Sequence, residues 1–235
     1  MPQSLVNKQV GLWFFGQGFR NRVAFEIGAR AMGASVSYIP GELGIHEPLE
    51  DIGHYLNNLF SLLMVRAKKH DDLLALSNDV NIPIVNARTN YNHPCEILGD
   101  MQFIRRYRGS LDGLNVVFVG EVTNLCMSWF EAAVSLLISV TQVGSADYLA
   151  EQELLDTLNA GAVGKISASA EIDPLLPQAD LIYTDCWPHS DIDLDRQRIQ
   201  QLFLPYQVTG DHLRSLHDQA MFLPCHRLPE GRKSP

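Results

Sequence analysis

Residues 10–34 read VGLWFFGQGFRNRVAFEIGARAMGA, and the order of their parts decides the fold. Val10–Phe15 is a short, continuous apolar run, as expected of a strand buried on both faces. Gly16-Gln17-Gly18 interrupts it, and a helix is predicted over 21–33, with Gly33 where a C-cap is expected. Strand, glycine turn and helix form the unit that builds parallel sheets covered by helices.

The same alternation runs outward to both ends. Further strands are predicted at Val36–Ile39, Leu62–Ala67, Ile82–Ala87, Val116–Gly120, Val140–Gly144, Lys165–Ser169, Leu181–Asp185 and Met221–Cys225. Helices are predicted near 71–79, 94–107, 125–138, 149–160 and 194–203, and Gly161 is a second candidate C-cap. Ile97, Met101 and Ile104 recur at i, i+4 and i+7, which puts one apolar stripe on the helix at 94–107. The polar stretch Arg108-Gly109-Ser110-Leu111-Asp112-Gly113 precedes the strongest strand and reads as a seam. The expectation is an α/β protein of two domains, residues 1–108 and 109–235, each a parallel sheet flanked by helices. The last residues, PEGRKSP, read as a frayed tail.

Composition narrows the function classes. The chain has 235 residues, 46% apolar and 19% charged, which is ordinary for a globular protein with a buried core. A net charge of −9, with the 18 basic residues scattered, argues against nucleic-acid binding. No apolar run is long enough to span a bilayer, and the N-terminus lacks a signal-peptide pattern, so a cytoplasmic setting is expected. Cys95, Cys126, Cys186 and Cys225 form no C-x-x-C pair, so neither a zinc site nor a disulfide framework is expected.

In open α/β sheets ligands bind beyond the carboxyl ends of strands. After the first strand come Gly16, Gly18, Phe19, Arg20, Asn21 and Arg22. Glycines let backbone N–H groups approach an anion, and the helix that follows presents its positive end. The same residues also read as an ordinary turn with two solvated arginines. Arg66 closes an apolar strand and must reach either water or an anion. His93 precedes a helix that Pro94 would open; it can donate to a carbonyl oxygen or serve as a structural loop residue. Asn124 suits the N-cap of the helix at 125–138. Asp185 ends a strand, where it can hold an amine or cap a turn, and Cys225 reads as a buried small residue unless its thiol is activated.

Taken together and in this order, the segments resemble the aspartate/ornithine carbamoyltransferases, the ornithine branch more than the aspartate branch. The resemblance runs from about Leu5 to Pro229. FFGQGFRNRVAFEIGARAMGA is similar to the family's phosphate-binding S-T-R-T-R-x-S-F-E, and NIPIVNARTNYNHPCEILGDM to its H-P-x-Q-x-L-x-D. GEVTNLCMSWFEAA resembles G-D-x-N-N-x-x-x-S, and ADLIYTDCW resembles A-D-x-I-Y-T-D-x-W. LPYQVT and FLPCHRLPEG resemble the Y-Q-V and F-x-H-C-L-P segments.

The resemblance implies an enzyme of amino-acid metabolism that needs no cofactor or metal. In its reaction an amine of an amino acid or similar small molecule attacks a carbamoyl or related acyl group, and phosphate leaves. It further implies a homotrimer with small-molecule substrates. On matching positions Arg20 and Arg66 would hold phosphate, and His93 would polarise the carbamoyl oxygen. Asn124 and Asp185 would hold the amino-acid end, with Cys225 beside the side-chain amine.

Several positions depart from the pattern. The family's Ser-Thr-Arg-Thr is Gly18-Phe19-Arg20-Asn21 here, which removes three hydroxyls and places Phe19 where phosphate is expected. Glu96 replaces the glutamine of H-P-x-Q and brings a carboxylate toward a dianion. Pro224 replaces the histidine of H-C-L-P, with His226 after the cysteine, and His189-Ser190-Asp191 stands for the branch's S-M-G. The side chain of the acceptor would therefore meet different residues, His189 and His226 among them. The chain also starts and stops short of the family's opening and closing helical segments, which would leave apolar surface on the first domain. Retained Arg20, Arg66, His93, Asn124 and Asp185 favour an enzyme. The altered residues leave open a changed reaction on this fold, or a non-catalytic amino-acid-binding subunit.

Overall fold

In the computed structural model the described residues are 2–16, 18–41, 48–185 and 196–224. The chain divides into two compact units, Met1–Cys95 and Glu96–Pro235.

The first unit contains β1 (Gln9–Phe14), α1 (Phe19–Ala31), β2 (Ser35–Ile39), α2 (Leu49–Leu59), β3 (Leu62–Arg66), α3 (His70–Asp79) and β4 (Ile84–Arg88). Its strands are all parallel, in the order β2-β1-β3-β4. The apolar run of β1 is continuous because both faces are covered. Val10, Leu12 and Phe14 pack with Ala29 of α1, while Trp13 packs with Leu63, Val65, Leu56 of α2 and Leu73 of α3. The chain first steps from β1 to β2 and then returns past β1 to β3. The switch point, where a ligand crevice is expected, therefore lies between β1 and β3.

Helix α2 was not predicted, because Gly53 at its middle lowers helix propensity. That glycine is required for packing. A Cβ on it would lie 2.5 Å from the Asp79 carbonyl oxygen at the end of α3.

The second unit holds α4 (Pro94–Arg108, from Glu96 onward), β5 (Leu114–Val119), α5 (Asn124–Ser135), β6 (Ile138–Val143), α6 (Gln152–Asn159), β7 (Lys165–Ser169), β8 (Leu181–Thr184), α7 (Arg196–Leu202), α8 (Gly210–Arg214) and β9 (Met221–Leu223). This sheet is also wholly parallel, in the order β7-β6-β5-β8-β9, with its switch point between β5 and β8. The stripe Ile97, Met101 and Ile104 of α4 joins a core with Val116, Phe118 and Trp129. The alternate residues Val117 and Val119 pack with Leu176 and Ile182 on the other face.

Two helices are shorter than predicted. The one expected over 125–138 ends at Ser135, because Ile138 opens β6 in register with Leu114. The one expected over 149–160 begins only at Gln152. Its would-be first turn is held by Gln142, whose side chain donates to the Tyr148 carbonyl and accepts from Ala150 N–H. The start of the helix predicted over 194–203 and the end of the strand predicted over Met221–Cys225 lie partly outside the described residues. No helix among the described residues is long and apolar enough to cross a membrane.

Candidate functional site

In the first unit three strand ends singled out in the sequence come together. Gly18 caps α1, whose first turn has no acidic residue to oppose an anion at its positive end. Arg66 ends β3, where the register against β4 shifts by one residue, Val65 pairing with Asn86 and Arg66 with Arg88. A Cβ built on Gly18 would lie 3.1–3.2 Å from Cδ, Nε and Nη1 of Arg66. The glycine thus makes room for the guanidinium at the α1 N-terminus. A small hollow beside it is lined by Trp13, Phe15, Gly41, Arg66, Lys68 and Asp72, and Trp13 Nε1 closes one side by donating to the Gly41 carbonyl at 3.0 Å.

His93 reaches the same end of the sheet. It is 5% exposed, and Nδ2 of Asn21, in the first turn of α1, lies 3.0 Å from its Nε2. The loop that presents it is stiff. Thr89 N–H donates to the Asn92 carbonyl at 2.9 Å, and Asn86 Nδ2 donates to Asn92 Oδ1 at 2.6 Å. Pro94 opens α4 directly after it, where a missing N–H costs nothing. Arg20 lies exposed on the first turn of α1. Arg22 turns away from that group, its guanidinium 4.9 Å over the Tyr38 ring. Phe19 is 66% exposed.

In the second unit the loop after β5 presents Glu121, Thr123 and Asn124, all buried. The N-cap of α5 is Thr123, whose hydroxyl accepts from Cys126 N–H, and not Asn124. The hydroxyl reaches the third N–H beyond it, and Asn124 becomes the first helical residue. Its backbone carbonyl accepts from Ser128 Oγ at 2.9 Å. Asp185 follows β8 and is half-buried. Burial, and secondly the charge of Asp185, pushes the Cys126 thiol well above its usual range, so this buried cysteine is no nucleophile. The Cys95 thiol is likewise raised by burial and donates to the Asn86 carbonyl.

Sequence reasoning assigned no role to the Tyr183–Asp100 pair. Tyr183 donates to Asp100 Oδ2 at 2.8 Å and stacks on Phe118. Burial first, then the carboxylates of Asp100, Glu96 and Asp185, drive its phenol far above the ordinary tyrosine range. Both residues stood in quoted motifs, but pairing across 83 positions has no local signal. Glu96, on the exposed side of α4, belongs to this acidic set. Negative charge of this kind suits a cationic amine. His189, Cys225 and His226 lie outside the described residues. Among the described residues no group of three or more His, Cys, Asp or Glu is arranged to hold a metal.

Two sheets with polar loops at their switch points place the chain among the doubly wound α/β proteins that carry ligand residues at strand carboxyl ends. Residues 1–106 match the carbamoyl-phosphate-binding domain of aspartate/ornithine carbamoyltransferases, and residues 112–234 match the Asp/Orn-binding domain. The chain belongs to the aspartate/ornithine carbamoyltransferase family. It is 29% identical over 228 residues to an ornithine carbamoyltransferase of Methanosphaera stadtmanae, covering 94% of this chain and 75% of that protein. It is 30% identical over 249 residues to a putrescine carbamoyltransferase of Mycoplasma capricolum, covering 99% and 68%. Among solved structures, the ornithine carbamoyltransferase from Pyrococcus furiosus superposes with a TM-score of 0.87 at 25% identity, covering 98% of this chain and 75% of that one.

Proposed function

We propose that this protein transfers a carbamoyl group from carbamoyl phosphate to the amine of an amino acid or a similar small cationic amine. One observation carries the reading: Gly18, Asn21, Arg66 and His93 meet at the N-terminus of α1, where an anion is best received. In this reading the acceptor, bound as an ammonium, first loses a proton to solvent. The free amine attacks the carbamoyl carbon, the carbon–oxygen bond to phosphate breaks, and the departing phosphate takes the second proton. Arg20, Arg66 and the α1 backbone amides hold the phosphate, and the Asn21–His93 pair faces the carbamoyl group. Asn124 and Asp185 hold the acceptor, with Glu96 and Asp100 adding negative charge. The assembly in this reading is a homotrimer.

The lost hydroxyls weaken donor binding, each by about 1.5–3 kcal/mol where the bond was charge-assisted. That loss favours a second reading, an amino-acid-binding subunit without turnover. Purified protein incubated with carbamoyl phosphate and a panel of amino acids, diamines and monoamines tests both. Phosphate release matched by ureido product supports transfer. No turnover, together with no thermal shift from carbamoyl phosphate, overturns it. Binding of an amino acid without turnover supports the second reading.

A further inference from the structure

We propose that Asn21 is a positioning residue that sets the tautomer of His93, and so decides which ring nitrogen carries the proton. Nδ2 of Asn21 lies 3.0 Å from Nε2 of His93. A carboxamide nitrogen can only donate, so the ring nitrogen it faces presents a lone pair. The neutral ring carries one N–H, which therefore sits on Nδ1. The free imidazole favours the opposite tautomer, so the contact has to hold the ring against its own preference. The surroundings are rigid enough to do so. His93 is buried, its loop is cross-tied by Thr89 and Asn92, and Asn21 is fixed in the first turn of a 13-residue helix.

The functional part rests on the carbamoyl-transfer reading. While this contact stands, Nε2 cannot donate to a carbamoyl oxygen, and the proton rests on Nδ1, which is buried. His93 is thereby held as an oriented neutral ring at the edge of the donor site. Asn21 is then more than a substitute for a phosphate-binding hydroxyl, because it orients the ring.

The test measures nitrogen-15 shifts of the imidazoles in uniformly labelled protein under alkaline conditions, where imidazole is neutral. The His93 signals are assigned by their loss in His93→Gln. In the wild type the Nδ1–H pattern is expected. In Asn21→Asp the carboxylate can only accept, so the proton should move to Nε2. In Asn21→Ala the ring should relax toward the ordinary mixture. A residue that merely fills space would leave the tautomer unchanged in Asn21→Asp. An Nε2–H pattern in the wild type, or the same pattern in the wild type and Asn21→Asp, overturns the proposal. The spectra need no turnover, so absence of carbamoyl transfer sinks the functional reading alone. Turnover with an Nε2–H ring sinks this inference alone.

Discussion

Gln142 is fully buried on β6. Its Nε2 donates to the carbonyls of Gly120 and Tyr148, each at 2.8 Å, and its Oε1 accepts from Ala150 N–H at 2.7 Å. One side chain thereby ties the end of β5 to the turn that precedes α6. Gln142→Leu keeps the approximate shape and strands these three backbone groups. An unsatisfied buried group costs about 1–3 kcal/mol. Gly120 and Ala150 are buried and carry the full cost, whereas the Tyr148 carbonyl is partly exposed and is discounted by about half. The loss should be about 3–7 kcal/mol, a large part of a typical stability of about 5–15 kcal/mol. Urea unfolding followed by circular dichroism and tryptophan fluorescence measures it. Gln142→Glu adds a sign test. The carboxylate could still accept from Ala150, but it would face two carbonyl oxygens unless protonated, so its folded pKa must rise. The folded state then binds the extra proton, and the stability of this variant should fall as pH rises from about 4.5 to about 7.5. A loss below about 1 kcal/mol in Gln142→Leu, or a Gln142→Glu variant that gains stability over that pH range, would refute the reasoning.

Gly53→Ala should lower Tm by about 2–12 °C in a thermal scan, since its Cβ would press on the Asp79 carbonyl and force α2 from α3. Tyr183→Phe removes the bond to Asp100 and should cost about 1–3 kcal/mol by the same urea assay. Because the folded phenol is raised, the stability it contributes is whole below the ordinary tyrosine value near ~10 and is lost above it, so wild type and Tyr183→Phe should converge at strongly alkaline pH. Gly18→Ala crowds the Arg66 guanidinium and should weaken binding of inorganic phosphate about tenfold by calorimetry, with the melting temperature little changed. Cys126, buried with a raised thiol, should remain unlabelled by a maleimide in native protein, as read by peptide mass mapping, and should react once urea is added.

Much of this was legible in the sequence because it rests on local chemistry. A continuous apolar run followed by glycines and a helix reads as a doubly covered strand entering a turn, and Pro94 after His93 suits the first position of a helix. Helix α2 escaped because Gly53 weakens its propensity, and the contact that needs the glycine lies 26 residues away at Asp79. The start of α6 was misplaced for a similar reason, since a distant side chain, Gln142, competes for the backbone groups of its first turn. Thr123 and Asn124 are both good caps, and only the position of the Cys126 N–H chose between them.

The chain's own order of residues determined two parallel α/β halves, the strand ends where ligands belong, and the resemblance that named the family, because periodicity, glycine turns and motif spacing are properties of neighbours. Tertiary structure alone decided that Asn21 meets His93 across 72 positions, that Arg66 lies against Gly18, and that Tyr183 is tied to Asp100. Such pairs depend on how the strands order themselves in the sheet, and that order is set by packing the whole core, which no local stretch of sequence contains.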